Sequence, residues 1–257
     1  MAESHSPLDV FKIDRLVHLC LGGSVDPESG RCASGLDASF TNSSLLMVIV
    51  LVGVTAFFLL GMQQRALVPS RWQSMAELSY EFIANMIREN VGPEARRYFP
   101  FIFTLFMFIL FCNLLGLIPW SFTVTSHIIV TFAMAIVVFI GITIIGFARH
   151  GAHFLKLFVP SGVPIFLLPL MVVIEVLSYL TRPISLSVRL FANMMAGHTM
   201  LQVFGGFVVA LGVLGGWAPL AFIVALTGLE FGIAFLQAYV FAILTCIYLN
   251  DAVNMHH

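Results

Sequence analysis

With 257 residues, 60% hydrophobic and only 10% charged, and a mean hydropathy of +1.00, the chain is too apolar for a water-soluble domain, since such domains carry about 25% charged residues. Twelve basic and thirteen acidic side chains leave a formal net charge of −1, which gives no reason to expect a nucleic-acid partner. The four cysteines lack metal-site spacing and no G-x-x-x-x-G-K-[ST] loop is present to cradle a nucleotide, so an integral membrane protein with no metal, cofactor or bound nucleotide is expected.

Residues 1–43 form a polar N-terminal tail holding six of the thirteen carboxylates. No continuous apolar core follows a basic start there, so no secretory signal peptide is expected. Cys20 and Cys32 could pair if the tail faces an oxidising compartment, or remain thiols otherwise. The remainder, 44–257, reads as one membrane domain. Its apolar blocks are 45–61, 98–119 (closed by Pro119), 128–148, 163–214 and 217–249. Between the first two, "SRWQSMAELSYEFIANMIRENVGP" (70–93) carries Met75, Ala76, Phe82, Ile83, Met86 and Ile87 at helical spacing, with charges on other faces. Ser74 with Glu77 offers a capping box and Gly92-Pro93 a stop, which predicts an amphipathic helix in the membrane interface.

A bilayer core takes about 20 helical residues. The last two blocks are much longer, and residues 220–249 contain no proline and two glycines. A pair of long, steeply tilted helices joined as a hairpin through "GGWAP" (215–219) is therefore expected. The fold predicted is all-α and integral to the membrane, with about five membrane helices plus one interfacial amphipathic helix. Arg65, Arg71, Arg88, Arg96 and Arg97 lie in the first connection and Arg149 and Lys156 in the third, while residues 120–127 carry no Lys or Arg. The positive-inside rule makes 62–97 and 149–162 cytoplasmic, with the N terminus outside and the C terminus cytoplasmic. Lys12, Arg15 and Arg31 on the tail run against that rule without reversing it.

The charges left inside apolar blocks are few, and each must pair, face water or neutralise. At about 100° per residue, Glu175, Ser178, Arg182, Ser185, Arg189 and Asn193 share one helical stripe, and His198 points to the opposite side from Arg189. A second stripe, Thr227, Glu230, Gln237 and Tyr248, is interrupted by Ala234 and Phe241. Gly228 and Gly232 bracket Glu230 as G-x-x-x-G, which admits a neighbouring helix, with 196–198 the expected partner. Plain structural alternatives stand beside these readings. Arg182, beside Pro183, could be an interface residue, Glu175 its counter-ion or that of Arg189, and Asn193 and Gln237 simple interhelical ties. Cys112 and Cys246 read as small buried hydrophobes. Arg189 resists any such reading: it cannot deprotonate, and acids nearby are scarce, so its partner is expected on another protein.

"PISLSVRLFANMMAGH" (183–198), "GLEFGIAFLQAYVFAILTCIYLND" (228–251) and "FCNLLGLIP" (111–119) resemble signature regions of subunit a of the F-type ATP synthase. The resemblance runs from about residue 45 to the end. It implies a stator subunit of a rotary membrane sector, providing two proton half-channels beside a rotor ring of small subunits, each with a membrane carboxylate. Arg189 matches the essential rotor-facing arginine. Asn113, Asn193, His198, Glu230 and Gln237 match polar residues near it and along the outer half-channel, and Glu175 an acid of the inner one. Many bacterial members carry an acid at the position of His198 and a histidine at that of Glu230; this chain has the reverse, mitochondrial-like arrangement. Peripheral-stalk subunits and membrane lipid are the further partners implied, with a bacterial or mitochondrial-type inner membrane as location. A secondary transporter would also hold intramembrane charges, but no internal repeat is evident. A membrane cytochrome would need paired axial ligands, whereas His127, His150 and His153 fall near span ends and His198 alone lies deep.

Overall fold

The computed structural model describes residues 15–17, 20–21, 36–37, 39–62, 70–118, 123–159 and 166–253. Cys32, and with it any Cys20–Cys32 pairing, falls outside these residues, as do Lys12, Arg31 and Arg65. Six α-helices carry the fold: α1 (Asn42–Gly61), α2 (Arg71–Val91), α3 (Phe99–Gly116), α4 (Ile128–His150), α5 (Leu168–Gly215) and α6 (Trp217–Val253). All but α2 are long and apolar enough to cross a membrane. In the tail, short segments fold back antiparallel, β1 (Arg15–Val17) on β4 (Phe40–Thr41) and, inside that pair, β2 (Cys20–Leu21) on β3 (Leu36–Asp37).

Thr41 caps α1, its Oγ1 accepting from the Ser44 N–H at 3.4 Å. Apolar around its whole circumference, α1 buries only Ser43, Val50 and Gly61, the surface expected of a lipid-facing helix. The cap of α2 corrects the sequence reading. It is Ser70, not Ser74, that accepts from a backbone N–H, that of Gln73 at 3.4 Å, while the Gln73 amide donates to Glu77 Oε1 at 2.8 Å. A Ser-x-x-Gln pair one turn earlier starts the helix better, because more of the following turn is then helical. At the other end Gly92 sits at φ 91°, where a side chain is strained, and the helix stops. Ala76, Ile83, Met86 and Ile87 are buried where α2 meets α1, α3 and α6; Met75 and Phe82, expected on that face, stay 54% and 36% exposed.

The core lies where α3, α4 and α5 surround α6. Ala234, Ala238, Ala242 and Cys246 recur every fourth residue on α6, and each is fully buried. Small side chains in one row let neighbouring backbones approach, the way packing holds helices together in lipid. Cys112 and Cys246 are both buried free thiols among these contacts.

The helix α5 runs without a break from Leu168 to Gly212, 45 residues, and α6 has 37. At 1.5 Å per residue these measure about 68 and 55 Å, roughly twice the hydrocarbon thickness, so both cross at a steep tilt. Pro183 removes one backbone donor yet does not interrupt α5; the one non-helical residue is Gly212 (φ 60°, ψ −160°). The hairpin therefore turns at Gly212–Gly216, somewhat before the "GGWAP" segment expected from sequence, because Gly212 supplies the positive φ that the reversal needs.

Candidate functional site

On α5, Arg182 and Arg189 stand seven residues apart in sequence, two helical turns. Arg182 Nη1 donates to Asp251 Oδ2 at 3.4 Å, and its guanidinium lies 4.6 Å from the Tyr248 ring centroid and 5.3 Å from that of Tyr179. Tyr179 in turn shares a 2.8 Å hydrogen bond with Thr143, so the cluster joins α4, α5 and α6. The slot beside it, walled by Phe139, Pro183 and Leu186, has about 10 Å³ of free space, no more than one water requires. Arg189 has none of this. It is exposed, and among the described residues no carboxylate lies within salt-bridge distance of it. Glu175 is half-buried on the same helix, fourteen residues away, or about 21 Å along an axis that Pro183 leaves intact. The two are not brought together.

The amides form one lane. Asn193, exposed one turn past Arg189, donates from Nδ2 to Gln237 Oε1 at 3.2 Å. Gln237 is 3% exposed, and its Nε2 has no partner among the described residues. Asn113 of α3 is fully buried, and its Nδ2 donates to the Ala234 carbonyl at 3.3 Å, one turn before Gln237. Its Oδ1 is likewise without a partner. The lane thus leaves one buried donor and one buried acceptor open.

His198 and Glu230 line a second space, a cavity of about 160 Å³ shared with Asn193, Gly197 and Leu117. That is room for several waters. Glu230 is 9% exposed, and neither of its carboxyl oxygens has a hydrogen-bond partner among the described residues. The imidazole and carboxyl groups thus face one chamber without a direct hydrogen bond between them. The close approach that G-x-x-x-G was expected to provide falls on the other helix. Gly228 and Gly232 have nothing within 4 Å of where a Cβ would stand, whereas a Cβ on Gly197 would lie 2.9 Å from Glu230 Cδ and would overlap Oε1. Glu230 occupies the hollow that Gly197 leaves.

Three participants escaped the sequence reading. Asp251 lies just past the last apolar block, and sequence alone gave no reason to join it to Arg182. Thr123 is fully buried, and its Oγ1 lies 2.8 Å from His198 Nε2 and 3.5 Å from the Gly116 carbonyl. It belongs to a connection with no Lys or Arg, where no charge drew attention. Gly116 carries no chemistry of its own, but a Cβ there would stand 2.8 Å from Thr123 Cγ2 and 3.2 Å from Met194 Cε. In the same connection, burial pushes the pKa of His127 down from its ordinary value.

Residues 44–250 match the family model described as ATP synthase A chain. The chain is 65% identical to ATP synthase subunit a of Pelagibacter ubique, over 86% of this chain and 91% of that one. It is 57% identical to ATP synthase subunit a of Paramagnetospirillum magneticum, over 98% and 99% of the two chains, and 55% identical to that of Rhodospirillum rubrum, over 98% and 100%. Five helices long and apolar enough to cross a membrane and a match over nearly the whole length agree: the chain belongs to the family of ATP synthase subunit a, the proton-translocating component of the membrane sector.

Proposed function

We propose that this chain is the stator of a rotary proton channel in a bacterial inner membrane, with its N terminus outside and its C terminus in the cytoplasm. Arg189 faces the carboxylates of a rotor ring, and peripheral-stalk subunits hold the chain against rotation. Protons from outside reach the ring through the lane and chamber of Asn113, Asn193, His198, Glu230 and Gln237, and leave through an inner half-channel containing Glu175. The observation that carries this is that Arg189 is exposed and, among the described residues, without a carboxylate partner, on a helix whose other arginine is paired.

The physics follows from that cation. In a low-dielectric setting, Arg189 favours the ionised form of a carboxylate that arrives beside it, so the ring acid releases its proton there. Arginine stays charged under all conditions, and the same charge repels protons that would hop straight between half-channels. His198 and Glu230, across a chamber wide enough for water, relay protons to and from the ring. Each proton crossing 100 mV brings about 2.3 kcal/mol. The chemistry of ATP takes place on other subunits.

The exposed stripe that carries Arg189 gives the test. In the whole complex, Ser185→Cys should form a disulfide with a cysteine placed next to the ring carboxylate, while Val52→Cys on the exposed face of α1 should not. Cross-linking from Val52→Cys and not from Ser185→Cys would overturn the assignment of the rotor face.

A further inference from the structure

The geometry points to Thr123 as a positioning residue for proton uptake: its hydroxyl, at His198 Nε2 and beside the Gly116 carbonyl, fixes the orientation of the imidazole in the chamber that it shares with Glu230. The inference rests on the proposed role of His198 and adds a residue to it.

Thr123 Oγ1 lies 2.8 Å from His198 Nε2, a hydrogen bond that either tautomer of the ring can make, and 3.5 Å from the Gly116 carbonyl. Held at Nε2, the imidazole keeps one orientation in the chamber that it shares with Glu230. A proton taken up by the neutral ring gives the imidazolium, and its transfer to a Glu230 carboxylate oxygen restores the neutral ring. Both Glu230 oxygens are open to receive it. Among the described residues Glu230, from α6, is the one other titratable group lining the chamber; α5 adds Asn193 and Met194, and Leu117 follows the end of α3.

Burial makes the contact selective for a hydroxyl. Thr123 is 0% exposed, so no bulk water reaches that side of the ring to replace a lost hydroxyl. The tight fit of Gly116 against Thr123 Cγ2 holds the side chain in place.

The test uses the intact ATP synthase in sealed vesicles, with proton flux counted per assembled complex. Thr123→Val keeps the shape and removes the hydroxyl; flux should fall about tenfold. Thr123→Ser restores the hydroxyl, and flux should return to within about twofold of the parent. His198→Ala is measured alongside. Parental flux in Thr123→Val with a slow His198→Ala overturns the role of Thr123 alone, as does a Thr123→Ser variant as slow as Thr123→Val. Parental flux in His198→Ala overturns the role of His198 beneath it.

Discussion

Arg182 and Arg189 share a helix, a side-chain chemistry and nearly a face, yet their surroundings are opposite. Arg182 has a carboxylate, two aromatic rings and a slot too small for more than one water. Arg189 is exposed and without a carboxylate partner among the described residues. An unpaired guanidinium at membrane depth costs roughly 2.5–3.5 kcal/mol on insertion scales. The fold had the means to neutralise a cation on this helix and does so at Arg182. Leaving Arg189 open is therefore the informative choice, and it is what the proposed rotor carboxylate, a partner that comes and goes, requires.

The contrast predicts graded losses. Arg189→Lys should be the most severe, abolishing coupled ATP synthesis while the complex still assembles, because a lysine enclosed between this chain and the proposed ring can deprotonate; synthesis by energised vesicles measures it. Next, Glu230→Gln or His198→Ala should slow proton flux about tenfold or more, through loss of a relay group. Gly197→Ala should slow flux less, by displacing the Glu230 carboxyl rather than removing it, and a structure of the variant would show Glu230 shifted from the hollow.

Arg182→Ala belongs to a different class. Its side chain is 20% exposed and that of Asp251 36%, so the pair contributes about 1 kcal/mol or less after screening, with the aromatic contacts adding about as much. Yield and melting temperature of the complex should fall, whereas pumping per assembled complex should stay within about twofold. Coupling lost at normal yield would erase the distinction between the two arginines. Asn193→Ala should be mildest, since interhelical amide bonds in membranes average about 0.6 kcal/mol.

Much of the fold was legible because lipid imposes simple rules. Long apolar blocks had to be helices, and the absence of proline from 220–249 correctly foretold one uninterrupted α6. The 3.6-residue period set Arg189 and His198 on opposite sides, and the structure has one exposed and the other against Thr123. What could not be read depended on long-range partners. Gly197, rather than Gly228 or Gly232, admits Glu230 because helix rotation decides which glycine meets the neighbouring side chain. Asp251 and Thr123 lie 69 and 75 residues from the groups they bind, and no local pattern encodes such pairs. The cap of α2 slipped by one turn because two serines offered nearly equivalent starts.

The most direct measurement is ATP-driven proton pumping by inverted vesicles carrying Arg189→Ala, with complex abundance and ATP hydrolysis followed on the same membranes. An open cation that serves the ring predicts assembled complexes with no coupled pumping and, once the barrier between half-channels is gone, a passive proton leak. Near-normal coupled pumping by that variant would contradict the account.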